Sequence, residues 1–168
     1  MFVVFRAITY ATLFIGFLLV FLPARVLAWS GIVRPATLGA AQLAGIVIGA
    51  SGAALAVWCI ITFVVTGRGT PAPFDPPRRL VVVGPYRLVR NPMYVGAGLA
   101  LAGAALFYES WALLSYCAVF ILVMFLFVVV YEEPTLRATF GDPYVRYCER
   151  VQRWWPRPYA GGRPPGAA

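Results

Sequence analysis

GPYRLVRNPMYVGAG, residues 84–98, is the point where a polar loop becomes an apolar helix. The stretch holds Arg87 and Arg90, Tyr86 and Tyr94, Pro85 and Pro92, and the closely spaced Gly96 and Gly98. Asn91 is placed to cap the helix and Pro92 suits its first turn, because its fixed φ is helical and its missing N–H would have no partner there. The apolar run that follows, Pro92 to Phe107, is short. At ~1.5 Å per residue it reaches about 24 Å, less than the ~30 Å hydrocarbon core. Gly96, Gly98, Gly103 and the alanines between them leave its surface almost bare, so a neighbouring helix or a bound molecule must cover that face.

After a tight connection at Glu109–Ser110, a second apolar run extends from Trp111 to Tyr131 and ends directly in Glu132, Glu133 and Pro134. The two runs form a helical hairpin. Its open end brings the Asn91 region and the glutamate pair to the same side of the membrane.

Composition supports the membrane reading. Of 168 residues, 61% are hydrophobic and only 12% charged, with a mean hydropathy of +0.80. This is far more apolar than a soluble domain. All 14 basic residues are arginine and histidine is absent, so a histidine base or histidine metal site is excluded. No side chain has an ordinary pKa near neutrality. Cys59, Cys117 and Cys148 lie far apart with no pairing or metal-ligand spacing and read as small buried hydrophobes. The net charge of +8 is explained by arginines at span ends facing anionic headgroups; nucleic acid is not expected as a partner.

Towards the N-terminus, Ala7–Ala28 is an apolar run longer than a signal-peptide core and is read as a retained span. Leu38–Val65 exceeds the ~20 residues needed to cross, so it tilts or projects. Ala41, Gly45, Gly49 and Ala53 recur every fourth residue, a ridge that admits a close helix. Residues 66–89, with Pro71, Pro73, Pro76, Pro77, Arg78 and Arg79, form a stiff irregular loop. Leu80–Val83 within it are suited to an apolar ligand or the membrane interface.

Beyond the glutamates, Asp142 as cap and Pro143 as first residue start a tail helix. Tyr144, Tyr147, Cys148, Val151, Trp154 and Trp155 share one face of it, and Arg146, Arg150, Arg153 and Arg157 the other. Such a helix lies at the headgroups or roofs a site. Past Pro158 the Gly/Pro/Ala tail reads as disordered. The expected architecture is all-α and polytopic: about four transmembrane helices, with an N-terminal helix pair (1–66), a C-terminal hairpin, loop and tail helix (67–158) and a tail (159–168). Arginines concentrate in the loop between runs two and three and in the tail, which places both termini and the polar site in the cytoplasm.

Arg90 with the helix N-terminus suits an anionic group, Glu132 and Glu133 suit hydroxyls or an ammonium, and Tyr86 and Tyr94 suit a flat base. Together they describe a nucleotide-like cofactor bearing both charges. Singly, each also fits a structural role: snorkelling arginines, their ion-pair partners, and an interfacial aromatic belt. Paired glutamates at a span end are costly to insert and mark function. Gly96 and Gly98 lack the strand–loop–helix setting of a dinucleotide fingerprint.

GPYRLVRNPMYVG, followed by a short hairpin, EEPTL, FG and the tail pattern Tyr144-x-x-Tyr147-x-x-x-Val151-x-Arg153-x-x-Pro156, resembles the isoprenylcysteine carboxyl methyltransferase and phospholipid methyltransferase superfamily of membrane enzymes over about Leu80–Pro156. The resemblance implies a cytoplasmic S-adenosylmethionine site roofed by the tail, with a lipophilic acceptor entering from the bilayer. It implies cofactor contacts at Leu80, Val81, Tyr86, Asn91, Pro92, Met93, Tyr94 and Glu132, to which the residue reading above adds Arg90. Gly96 and Gly98 match glycines of the phospholipid branch. Asn91 stands where many members carry histidine, and Val128 where the prenylcysteine enzymes carry a substrate arginine, which points away from prenylcysteine.

Methyl transfer from a sulfonium is an in-line displacement, driven by holding the acceptor in line and dry. Glu133 is expected to accept the acceptor's proton or orient it, and Arg153 to help close the site. Two other classes are distinguishable from a methyltransferase: an NADPH-dependent membrane lipid reductase using a similar hairpin, and an inactive membrane scaffold. The acceptor, the oligomeric state and the pathway are not legible in the sequence.

Overall fold

The computed structural model describes residues 13, 15–32, 35, 37–67 and 80–156, whose regular secondary structure is helical, without a strand. In chain order they form α1 (Gly16–Trp29), α2 (Ala40–Thr62), a 3₁₀ turn (Gly84–Arg87), α3 (Pro92–Phe107), α4 (Trp111–Phe127), α5 (Glu133–Phe140) and α6 (Asp142–Arg150). Wider π winding occupies Gly16–Phe21 within α1, prolongs α2 over Phe63–Gly67 and joins α4 to α5 over Val128–Glu132. Two helical runs, Ala40–Thr66 and Trp111–Phe140, are long and apolar enough to cross a membrane; Gly16–Trp29 and Pro92–Phe107 are shorter. The start of the first expected span, the proline-rich loop with Arg68, Arg78 and Arg79, and the tail beyond Pro156 lie outside the described residues.

The bare face of α3 is covered by a neighbouring helix. A Cβ placed on Gly52 would lie 2.5 Å from Gly96 O and from Ala100 N, and one on Gly45 2.7 Å from Gly103 O and 2.6 Å from Phe107 N. Backbone thus meets backbone along the whole α2–α3 seam. The buried stripe on α2 is Gln42, Gly45, Gly52 and Cys59, and Ala53 of the expected ridge faces outward. Large apolar residues such as Val130 and Trp111 point outward instead, an arrangement suited to lipid, where helix association rests on close packing. At the far end of the seam Gln42 accepts from Gly39 N (3.0 Å) and donates to Glu109 Oε1 (3.3 Å). Glu109 turns the α3–α4 corner with φ +48°.

On its other side α3 packs against α4, and α1 leans on both. Ala97, Leu101, Cys117, Phe120 and Met124 form a buried cluster flanked by Leu18 and Leu19. Tyr116 Oη donates to Leu18 O at 2.7 Å, tying α1 to α4.

Three expectations are corrected. First, Glu132 and Glu133 do not end the helix, which continues to Phe140 across Pro134. A proline ring clashes with the carbonyl four residues back. Here that carbonyl belongs to Val130, inside the π turn, whose wider winding makes room. Second, α6 begins one residue early, with Gly141 (φ +56°, ψ −133°) at the cap and Asp142 already helical. That backbone geometry strains any residue with a Cβ. Third, the tail helix stops at Arg150 rather than running on to Trp155. Val151 is extended (φ −120°, ψ 127°), and the chain beyond it pairs parallel with the segment leading into α3, through the bridge Val89–Gln152. Arg90 N donates to Gln152 O (2.8 Å) and Asn91 N to Arg153 O (3.1 Å). Pro92 bars Asn91 from helical geometry and leaves these two N–H groups without helical partners, so the tail carbonyls supply them. Residues 151–156 therefore form a strap across the open end of the hairpin.

Candidate functional site

The strap, the start of α3 and the α4–α5 junction converge on the two glutamates. Tyr94, one turn into α3, donates its hydroxyl to Glu132 Oε2 at 3.0 Å. Glu133 is gripped twice. Arg153 donates Nε to Oε1 (2.6 Å) and Nη2 to Oε2 (2.9 Å), while Arg90 Nη2 approaches Oε1 at 3.2 Å. Arg90 also donates Nη1 to Cys148 Sγ on α6. Adjacent in sequence, the carboxylates have different surroundings. Glu133 is neutralised by two guanidiniums, whereas Glu132 is bonded to a neutral phenol and, among the described residues, to no arginine. Both lie where π winding gives way to α winding, a deviation found often at functional sites.

Asn91 occupies the cap position of α3 without capping it. Its Nδ2 donates to Arg153 O at 3.3 Å, so the side chain fastens the strap. Pro92 beside it is fully buried. Val81, Tyr86 and Cys59 form a buried cluster with Met93, Leu55 and Phe63 packed on it, and the Phe63 and Tyr86 rings are 5.7 Å apart. Leu80 packs on Tyr144, Tyr147 and Val151. Tyr147 Oη donates to Tyr86 O at 2.6 Å, joining the loop to α6. Burial pushes both phenols well above the ordinary tyrosine value, so Tyr147 stays a donor through the neutral range.

The expected site residues thus fall into groups. Arg90, Asn91, Tyr94, Glu132, Glu133 and Arg153 are linked by the contacts above, and Leu80, Val81, Tyr86, Pro92 and Met93 form the packed wall behind them. Gly96 and Gly98 are set apart. A Cβ on Gly96 would lie 2.7 Å from Gly52 O, so Gly96 serves the close packing of α2 on α3, whereas one on Gly98 would meet Ile121 of α4 at 3.5 Å, an ordinary contact. Tyr86 is walled in by Cys59, Phe63 and Val81, and its phenol lies near enough to Glu132 and Tyr94 to interact with both electrostatically. Glu133, expected to accept the acceptor's proton or to orient it, has both oxygens accepting from guanidinium. Cys148, read as a small hydrophobe, belongs to the cluster through Arg90. Nothing in the sequence links residues so far apart.

Apolar helices, a small-residue seam and a charge-clamped polar cluster at one end of a hairpin describe a helical membrane protein with a candidate site at that end. The chain belongs to the phospholipid methyltransferase family, whose model matches residues 40–143. The match runs from the first residue of α2 to the second of α6, taking in every residue of the cluster except Cys148 and Arg153. The family is one of methyltransferases. Neither the curated proteins nor the solved structures contain a match to the chain.

Proposed function

We propose that this protein transfers a methyl group from S-adenosylmethionine to a lipid acceptor at the cytoplasmic surface of the membrane. The observation that carries the reading is the division of labour between the two carboxylates. Glu133 is consumed in clamping Arg90 and Arg153, which leaves Glu132 as the one carboxylate of the cluster without a cationic partner among the described residues. A half-buried carboxylate of this kind is costly unless something completes it. A cofactor carrying an ammonium, a sulfonium and ribose hydroxyls offers the charge and donors that Glu132 lacks, and the donor set at the site therefore fits it.

When bound, S-adenosylmethionine supplies an electrophilic methyl group on a cationic sulfur. The residues do the rest. Tyr94 fixes the orientation of Glu132, and the wall of Val81, Tyr86, Pro92 and Met93 keeps water from one side. Arg153 and Asn91 hold the strap over the other. An amine or hydroxyl acceptor must lose a proton, and Glu132, which no guanidinium neutralises among the described residues, is the better placed of the two carboxylates to take it. The arginine-rich loop and tail support a cytoplasmic site, and the apolar flanks of α3 and α4 support entry of the acceptor from the bilayer.

Glu132→Gln keeps the size and the bond to Tyr94 but removes the charge. With labelled S-adenosylmethionine and a lipid extract, transfer to lipid is expected to fall about 100-fold, the scale of losing one partner of a buried charge pair. Full transfer by this variant would refute the assignment.

A further inference from the structure

Among the described residues, two buried side-chain polar atoms lack a hydrogen-bond partner, and both are donors on the paired segments: Arg90 Nε and Trp154 Nε1. The remaining nitrogens of Arg90 are engaged with Glu133 and Cys148. Trp154 has only the one N–H, and it is orphaned. In a folded protein a buried donor without a partner calls for an explanation.

The position of Trp154 supplies one. It follows Arg153 on the strap, and its ring packs on Phe125 of α4 with centroids 6.2 Å apart. Phe125 lies seven residues before Glu132 on the same continuous helical run, about 10 Å back along its axis. Trp154 thus sits on the bilayer side of the glutamates while Arg153 anchors the same strap at Glu133. Trp155 next to it is exposed and Phe125 faces outward. A lipid whose reacting end reaches Glu132 along this helical run passes Trp154 with its polar linkage.

We propose that Trp154 is an acceptor-positioning residue: its indole N–H donates to an oxygen of the acceptor lipid's headgroup or ester linkage as the ring leaves Phe125. Protein atoms close off the N–H while the ring rests on Phe125, and the unmet donor makes that resting contact easy to open. The inference rests on the methyltransferase reading for its acceptor, but its test reads binding.

Calorimetric titration of the detergent-solubilised full chain with a short-chain phosphatidylethanolamine and with a primary alkylamine separates the contributions. Trp154→Phe keeps a ring on Phe125 and removes the N–H. It is expected to weaken phospholipid binding about tenfold, the scale of one hydrogen bond to a charged group, while alkylamine and S-adenosylmethionine affinities stay unchanged. Phe125→Ala frees the ring without touching the donor and is expected to bind phospholipid at least as tightly as the parent. Unchanged phospholipid affinity in Trp154→Phe, equal loss for both amphiphiles, or no phospholipid binding by the parent protein each overturns the proposal. Phospholipid binding that depends on Trp154, with no methyl transfer by the parent protein, would instead overturn the proposed function and leave the headgroup contact standing.

Discussion

Gly103→Leu is expected to be the most damaging single change in the protein. Gly103 faces Gly49 and Gly45 across the α2–α3 seam, and a Cβ there would collide with the backbone of Gly49 and lie 2.6 Å from Gly45 O. Overpacking usually costs about 1–3 kcal/mol because neighbouring side chains can shift. Here the obstacle is helix backbone, so the helices must separate along their length. In thermal unfolding of detergent-purified protein the midpoint should drop by roughly 10 °C or more, at about 2–4 °C per kcal/mol. Gly98→Ala is the matched control. Its Cβ would meet Ile121 side-chain atoms at 3.5–3.6 Å, ordinary contact, and the gain in helix propensity makes it neutral or slightly stabilising. A Gly103→Leu protein as stable as the parent would show that the seam does not hold the fold.

Glu133→Ala is the second. It leaves Arg90, a guanidinium only 10% exposed, without its carboxylate, and breaking such a pair from one side costs about 3–5 kcal/mol. It also releases the Arg153 side chain, one of the ties on the strap. Arg153→Ala removes the other end of the clamp but touches a side chain 44% exposed, where solvent screening holds the loss to about 1 kcal/mol or less. The expected order is therefore Glu133→Ala far worse than Arg153→Ala in unfolding. The combined change Arg90→Met with Glu133→Leu should recover much of the stability but not the activity. Equal destabilisation by the two alanine variants would place the weight of the clamp on the strap rather than on Arg90.

The parts of this protein that were legible in its sequence are those written locally. Asn91-Pro92 at one end and Tyr108-Glu109-Ser110 at the other bound α3 at Pro92–Phe107, because proline and the polar break leave few alternatives. The meeting of the Asn91 region with Glu132 and Glu133 followed from one short corner between two apolar runs, and the bonds from Tyr94 and Arg90 realise it. What periodicity could not give is set by distant backbone. The tail reads as one amphipathic helix to Trp155, yet it stops at Arg150 because the unpaired N–H groups of Arg90 and Asn91 lie within reach of its carbonyls. Likewise Asn91 looks like a helix cap, and its amide is drawn instead to Arg153 O. The bare face around Gly96 could be covered by a neighbouring helix or by a bound molecule, and the sequence does not choose between them. The position of α2 decides it for Gly96. Pro134 reads as a helix end, and the π turn that carries the helix past it has no mark in the sequence.

The measurement closest to the central claim is calorimetric binding of S-adenosylmethionine and of NADPH to the detergent-purified protein and to Glu132→Ala. The account predicts that the parent protein binds S-adenosylmethionine and not NADPH, and that the variant, its clamp between Glu133, Arg90 and Arg153 intact, loses that binding. Binding of NADPH alone, or of neither compound, would contradict it, the first in favour of a reductase and the second in favour of an inactive scaffold.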